Sequence, residues 1–419
     1  MIKNRDIASR QFRSLLGLGV IVAASGLLLG GCTGHGEYTT EHMNAAKMKM
    51  NALKSATEYQ MAHQAFLAAD LPKALKHVTI SIELNQNVVK SHVLRGRTFM
   101  EMGNVELAAI SFAEAEKIDD TNVDSWYFQG IMAERIGQTD EALRRYLGAA
   151  ERDKQDAQYS IAAAEMMMEQ GHLTQARDFL TQRAANFPHS AGVKQTLGHI
   201  AMLEGRHADA AQAFSDARML APDDENITED LVRAQIAVSR FGDAESNLAR
   251  LLRNKDNNSR RDLKHLRAMC LVQIEKPVEA RDIFLELTRD IENANDVDAW
   301  IGLGELSFVL RDQARLRAAA TRVVALAPDR PDGYILRALH LRRTGDLAGA
   351  TQNLRTALKI REDAQTLMLL GMVQRDLNQM DASRRTFAAA ARLDPKNQVA
   401  ADLAASTSGT VITGFPTGE

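Results

Sequence analysis

Few side chains in this sequence are spaced as the residues of a reactive site usually are. The 419 residues include two cysteines, Cys32 and Cys270, and eleven histidines scattered along the chain. Two cysteines cannot provide a disulfide framework, and Cys270 stands in an amphipathic stretch as a small apolar residue would. The sequence contains no phosphate-binding glycine loop, zinc-protease helix, CxxC pair or serine elbow. We therefore predict no enzyme activity, no catalytic residue, no cofactor and no metal site.

Cys32 is the residue whose surroundings do indicate chemistry. Residues 1–13 are basic and polar, and residues 14–31 form an uncharged apolar run that ends in Gly30 and Gly31. This is the layout of a secretory signal, which assigns residues 1–31 to a signal peptide. The run also reaches the lower length limit for a membrane-spanning helix, so an uncleaved anchor is the alternative.

The four residues Leu29-Gly30-Gly31-Cys32 resemble the lipobox of bacterial lipoproteins. The resemblance implies cleavage before Cys32, lipidation of its thiol, and anchoring by acyl chains, of which several together hold a protein stably on a membrane. Thr33, where lipoproteins kept in the inner membrane tend to carry aspartate, favours the outer membrane facing the periplasm. Residues 32–50 begin with glycine, threonine and polar side chains and are predicted to be an irregular tether.

Composition and charge restrict the fold and the partners of the remaining chain. Aromatic residues make up only 5% and prolines number 8, while alanine and leucine are abundant, which indicates helices. The formal charge is −3, and because residues 1–31 carry +3 the rest carries −6. An acidic chain gives no electrostatic reason to expect nucleic acid as a partner.

Small residues recur along the chain with a period of 34 residues. One set comprises Gly96, Gly130, Ala164 and Gly198, and a second comprises Gly103, Gly137, Gly171 and Gly205. A third comprises Ala74, Ala108, Ala142, Ala176, Ala210 and Ala244, each followed four residues later by Val78, Phe112, Tyr146, Leu180, Phe214 or Leu248. We therefore predict that each unit forms two antiparallel helices. The helices pack closely at the small residues and are connected by a turn that contains glycine.

These units resemble tetratricopeptide repeats, as Trp126, Gly130, Gly137, Ala142 and Tyr146 show in one unit. The resemblance implies an all-α, right-handed superhelical solenoid of about ten helix pairs. The units begin near Ser55, Val89, Val123, Ala157, Ala191, Glu225, Arg261, Val297, Pro331 and Ala364.

The predicted array has one irregular place and a tail. Units 1–6 occupy residues 51–252 and units 8–10 occupy residues 297–397. Insertions near 254–259 and 291–296 predict an irregular junction over 253–296, which includes a degenerate unit 7 and could act as a hinge. Residues 398–419 are predicted to be a disordered tail, with one further helix over residues 399–406 as the alternative for its first part.

The family resemblance also implies where partners bind. First helices line the concave surface, and their outward residues are the candidates for a partner-binding groove. The candidates are Arg97, Tyr127, Ile131, Ile161, Met168, His199, Met202, Arg233, Met269, Ile301, Phe308 and Arg342. For each of them, packing against a neighbouring repeat is the alternative interpretation.

We accordingly expect a membrane-anchored periplasmic scaffold that helps to assemble an envelope machine such as a pilus or secretion system. Its predicted partners are proteins or peptides in the groove and the membrane through the Cys32 lipid, with no small-molecule substrate. The alternative is a regulatory or recruiting subunit of an enzyme acting on envelope polysaccharide or peptidoglycan. Genes adjacent to the coding sequence would discriminate between the two.

Overall fold

The computed structural model describes residues 37–289 and 295–406. Over these ranges the chain forms 21 helices and no strand, which confirms the all-α prediction. The helices are α1 Glu37–Leu67, α2 Leu71–Leu84, α3 Val89–Glu101, α4 Val105–Ile118, α5 Val123–Arg135, α6 Thr139–Arg152, α7 Ala157–Glu169, α8 Leu173–Ala184, α9 Ala191–Leu203, α10 His207–Leu220, α11 Glu225–Ala237, α12 Phe241–Leu251, α13 Arg261–Gln273, α14 Pro277–Arg289, α15 Val297–Val309, α16 Gln313–Leu326, α17 Asp332–Thr344, α18 Leu347–Ile360, α19 Ala364–Asp376, α20 Met380–Leu393 and α21 Gln398–Ala405.

Helices α1 to α20 pack as ten consecutive pairs, which is the predicted number. From α3 to α19, each first helix begins at its predicted residue, except that α17 begins one residue late, at Asp332. The handedness of a superhelix stays a prediction.

The turn inside each pair contains one residue in the left-handed conformation. Glycine occupies this place at Gly103, Gly137, Gly171, Gly205 and Gly345, with φ between 74° and 91°. In the other five pairs the same place is taken by Ala69, Ser239, Glu275, Arg311 and Asn378, with φ between 57° and 62°. The turn geometry therefore repeats in all ten pairs, and the glycine pattern in the sequence revealed only half of it.

The mid-helix glycines provide room for an aromatic ring of the partner helix. A Cβ atom on Gly130 would lie 2.6 Å from the Tyr146 ring, and one on Gly96 would lie 2.5 Å from Phe112. Close approach of helices is confirmed, with a ring rather than a second backbone filling the space.

The alanine positions predicted from the 34-residue period form the centre of each pair. Ala74, Ala108, Ala142, Ala176, Ala210 and Ala244 are all 0% exposed, and the larger residues four positions later are buried as well. Cys270 is also fully buried, with a free thiol, as predicted. Small and large residues thus interdigitate as a close-packed core requires.

The predicted irregular conformation of the tether is wrong from residue 37 onwards. Helix α1 begins at Glu37, and its buried residues start only at Ser55. Residues 37–54 therefore extend the helix beyond the part that packs on α2. The role of this segment as a tether stays a prediction, and residues 32–36 lie outside the described residues.

In the first part of the predicted tail, disorder is wrong and the alternative of one further helix is confirmed. Residues 398–405 form α21, which packs on α20 and buries Ala400 and Leu403 against Phe387 and Met368. This short helix covers the end of the last pair. Residues 407–419 lie outside the described residues.

The predicted irregular junction contains a regular helix pair. α13 and α14 pack on each other, and the non-helical residues among its described residues are 253–260, the turn at 274–276 inside the pair, and 295–296. The chain divides into two compact units after Ile118, not within 253–296. Unit 1 is Met1–Ile118 and unit 2 is Asp119–Glu419; a hinge at 253–296 stays a prediction.

Candidate protein-binding face

Within unit 2, first helices of neighbouring pairs lie side by side. α7 contacts α9 and α15 contacts α17, while Tyr127 on α5 meets Tyr159 on α7 with ring centroids 5.2 Å apart. We call the side of unit 2 formed by α5, α7, α9, α11, α13, α15, α17 and α19 the first-helix face. Eleven of the twelve predicted groove residues lie on these helices, and the twelfth, Arg97, lies on α3 in unit 1, above the Phe66 ring at 4.8 Å.

The apolar candidates at the start of this face are partly buried between repeats. The Tyr127 hydroxyl accepts a hydrogen bond from Gln158 at 2.5 Å, and Tyr127 and Ile131 both pack on the core of the α5–α6 pair. Ile161 and Met168 pack on the next core, and Met202 on the one after it. Each of these side chains also contributes to the accessible surface.

His199 and Arg233 belong to a polar cluster that links α9 to α11. The Asp230 carboxylate accepts hydrogen bonds from His199 at 2.7 Å and Gln195 at 2.8 Å, and Arg233 lies 3.2 Å from its other oxygen. Burial raises the pKa of Asp230, but these hydrogen bonds and cations outweigh burial and lower it.

A second cluster of the same kind links α13 to the start of α15. Asp296 pairs with Arg261 and accepts a hydrogen bond from His265 at 2.9 Å. Its other oxygen accepts the Ala299 backbone N–H at 2.9 Å and so caps α15. Burial again raises the pKa of the carboxyl and the hydrogen bonds, from His265 first, lower it overall. Charge in this part of the face is therefore mostly satisfied within the protein.

The predicted groove residues on α13, α15 and α17 differ in their exposure to solvent. Met269 is 41% exposed, whereas Ile301 is only 9% exposed and belongs to a core cluster. Phe308 packs partly on the same cluster, and Arg342 donates to Asp376 at 2.7 Å. Of these, Met269 offers the most apolar surface to a partner.

A hollow of about 270 Å³ opens on the first-helix face between α15, α17 and α19. We call it the α15–α17 hollow; its walls include Ile301, Glu305, Ile335, Leu339, Leu369 and Arg361. Glu305 lines this hollow as a solvent-exposed residue, and the surrounding protein removes part of the hydration of its carboxylate. This desolvation raises the pKa of Glu305, and the negative charge of Asp332 raises it further.

The α15–α17 hollow brings together residues that the sequence does not relate. Arg361 and Asp363 come from the connection between α18 and α19, and Leu369 from α19 itself. None of these three is among the predicted residues. The charges of residues 361–363 were the only feature of the sequence that could have indicated a site here. Charged connections of this kind are usually no more than solvated turns.

Three sequence predictions concern features outside this face. Cys32 and the apolar run 14–31 lie outside the described residues. Among the helices that are described, none is both long and apolar enough to cross a membrane. The described side chains also include no group of three histidine, cysteine, aspartate or glutamate residues placed to hold a metal ion.

Comparison with known proteins supports the repeat assignment near the C-terminus. Residues 335–398 match the tetratricopeptide repeat family. No curated protein matches the chain.

Several solved structures are similar to this chain at low sequence identity. The PilF protein of Pseudomonas aeruginosa is 13% identical with a TM-score of 0.43, over 48% of this chain and 92% of that protein. PilW, a type IV pilus biogenesis factor, is 16% identical with a TM-score of 0.43, over 48% and 93%. A tetratricopeptide repeat protein of Parabacteroides merdae is 12% identical with a TM-score of 0.43, over 56% and 92%. At these values the structures do not identify a partner for this chain, and the match to the family model covers residues 335–398.

Proposed function

We propose that this protein is an envelope scaffold, anchored through lipid on Cys32, that binds other proteins along the first-helix face and helps to assemble a pilus or secretion machine. The observation that carries the binding role is the surface of the first helices, where apolar side chains remain open beside internally paired charges. Leu203 is 60% exposed, Met269 41% and Val309 63%. Apolar surface next to polar rims is typical of sites that bind proteins.

Site-specific photo-crosslinking in the native cells tests the binding role. A photoreactive amino acid replaces Met269 on α13 in the full-length chain, and the matched control carries it at Val278 on α14, which is 48% exposed. We expect a discrete protein adduct from position 269 and none from position 278. Adducts at both positions, or at neither, would contradict a partner bound on this face.

The identity of the adduct tests the rest of the proposal. A structural or pore component of an envelope machine supports the assembly role, whereas a synthase or hydrolase of the cell wall would replace it with recruitment of an enzyme.

Anchoring is tested separately by metabolic labelling with a fatty acid. We expect the wild-type chain to take up the label and sediment with membranes, and Cys32→Ser to lose both properties. Label on Cys32→Ser would show that the lipid is attached elsewhere.

A further inference from the structure

The α15–α17 hollow has the size of a subsite for one or two side chains. Its volume of about 270 Å³ lies just below the range of sites that enclose a whole small-molecule ligand. Its wall continues into a second hollow of about 300 Å³, because Gln365 and Leu369 line both. The second hollow is also lined by Met368, Met372 and Val399. Together the two hollows can hold neighbouring side chains of one bound segment.

Glu305 is the carboxylate lining this hollow that has neither an ion pair nor a hydrogen bond among the described residues. Asp332, by contrast, pairs with Arg330 at 3.1 Å. Asp363 is also satisfied, since it caps α19 by accepting the Thr366 N–H at 2.8 Å. Arg361 is the one cation that lines the hollow, and it makes no ion pair with the described residues.

Glu165 on α7 is the equivalent of Glu305, and the two differ in whether a basic side chain acts on the carboxyl. Glu165 occupies the same place in its helix, and burial raises its pKa too, but His199 lies close enough to act in the opposite direction. Among the groups that influence Glu305 there is only a further acid, Asp332. A carboxylate that lines a hollow, with an acidic neighbour and no paired cation among the described residues, is complementary to a cation that arrives with a ligand.

We propose that the α15–α17 hollow binds a protein segment in which a lysine or arginine is flanked by apolar residues. The cation pairs with the Glu305 carboxylate, and the apolar neighbours cover Ile335, Leu339 and Leu369. This inference rests on the proposed function and adds the chemistry of the ligand. The chain's own residues 407–419 cannot supply the cation, because they contain no lysine or arginine.

Selection from a library of random peptides tests this specificity on the full-length protein in detergent. Parallel selections use the wild type, Glu305→Gln, and Glu362→Gln as a control that changes charge by the same amount beside the hollow without lining it. From the wild type and Glu362→Gln we expect peptides with lysine or arginine next to leucine, isoleucine, methionine or phenylalanine. From Glu305→Gln we expect the basic residue to lose its enrichment.

Affinity measurements on one enriched peptide complete the test. We expect binding to weaken about tenfold or more with Glu305→Gln, and by a similar factor when the peptide's basic residue becomes norleucine. The two changes together should cost no more than either alone, as for directly paired groups.

Several outcomes would overturn the proposal. Enrichment of acidic peptides would assign the hollow to Arg361, and equal enrichment of basic peptides by the wild type and Glu305→Gln would place the cation elsewhere. Self-association of the wild type that Glu305→Gln abolishes would make a second copy of the chain the occupant. Failure to select any peptide would also reject this ligand class, whereas the scaffold role would still be judged by crosslinking at Met269.

Discussion

In each helix pair, the left-handed backbone conformation of one turn residue restricts which amino acid fits there without strain. A left-handed conformation costs an L-residue about 1–2 kcal/mol relative to its usual conformations, and glycine avoids this cost. Five pairs use glycine there and five do not. The repeat tolerates the non-glycine residues because the helices on both sides determine the turn.

The substitution Glu275→Gly should therefore stabilise the protein. Glu275 has φ of 59°, and a glycine at this position would adopt the same conformation without strain. We expect unfolding of the α13–α14 pair to require about 0.5–1 kcal/mol more, measured by hydrogen exchange. The matched control is Glu279→Gly in the first turn of α14, which should destabilise the same pair by a similar amount. If both substitutions changed the stability of the pair by the same amount and in the same direction, backbone strain at Glu275 would not be the cause.

The mid-helix glycines should respond in the opposite way to an added methyl group. In Gly198→Ala the new Cβ would lie 2.6 Å from the Phe214 ring, so the helices must separate. We expect a loss of about 1–3 kcal/mol by denaturant unfolding. Gly242→Ala is the control, because nothing lies within 4 Å of its added Cβ, and it should gain up to about 1 kcal/mol. Partial rescue of Gly198→Ala by Phe214→Leu would identify the ring as the cause.

At the scale of the helix, the 34-residue period in the sequence predicted where most helices begin and which of their residues pack together. The starts of α3, α5, α7, α9 and α11 follow from that period, because small residues and core residues recur wherever two helices must pack. The next two steps, to α13 and α15, are 36 residues each, so these starts were predicted from the repeat pattern together with the insertions near 254–259 and 291–296. The beginning of α1 could not be predicted in this way. None of residues 40–54 is buried, so this part of α1 needs no apolar face, and its helix depends on the propensity of alanine, methionine, lysine and glutamate.

The α15–α17 hollow was predictable only in part. Glu305, Ile335 and Leu339 are outward residues of first helices, where the repeat places them. Arg361 and Asp363 come from a connection whose direction depends on how α18 and α19 pack. The period contains no information about that direction, because it records helix packing and leaves the charges of the turns unconstrained.

The carboxylate that joins α13 to α15 should make their contact sensitive to acid. The pKa of Asp296 is lowered in the folded state, so its contribution is present above the pKa of an unfolded aspartate and is lost as pH falls through the folded pKa. Asp296→Asn keeps the cap of α15 but loses the charge that pairs with Arg261 and His265. At neutral pH we expect α15 amides to exchange faster, by a loss of about 1–3 kcal/mol.

The acid dependence distinguishes this charge effect from a packing defect. The difference between Asp296→Asn and the wild type should shrink below about pH 4 and vanish once the wild-type carboxyl is protonated. Asp381→Asn removes an exposed carboxylate paired with Arg384 and should change exchange little at any pH. A difference at Asp296 that does not vary with pH would show that the asparagine disturbs packing instead.

At the scale of the whole molecule, the contacts are almost all between consecutive helices, so stability should be distributed along the chain rather than shared by one core. The exposed end of such an array unfolds first, and α21 covers that end in unit 2. A chain ending after Asn397 exposes Leu367, Met368 and Phe387, and should lose exchange protection in α19 and α20 while α15 keeps its own. A chain ending after Ser406 keeps α21 and should match the full-length protein throughout. Uniform loss of protection from α5 to α20 would show that unit 2 instead unfolds as a single cooperative body.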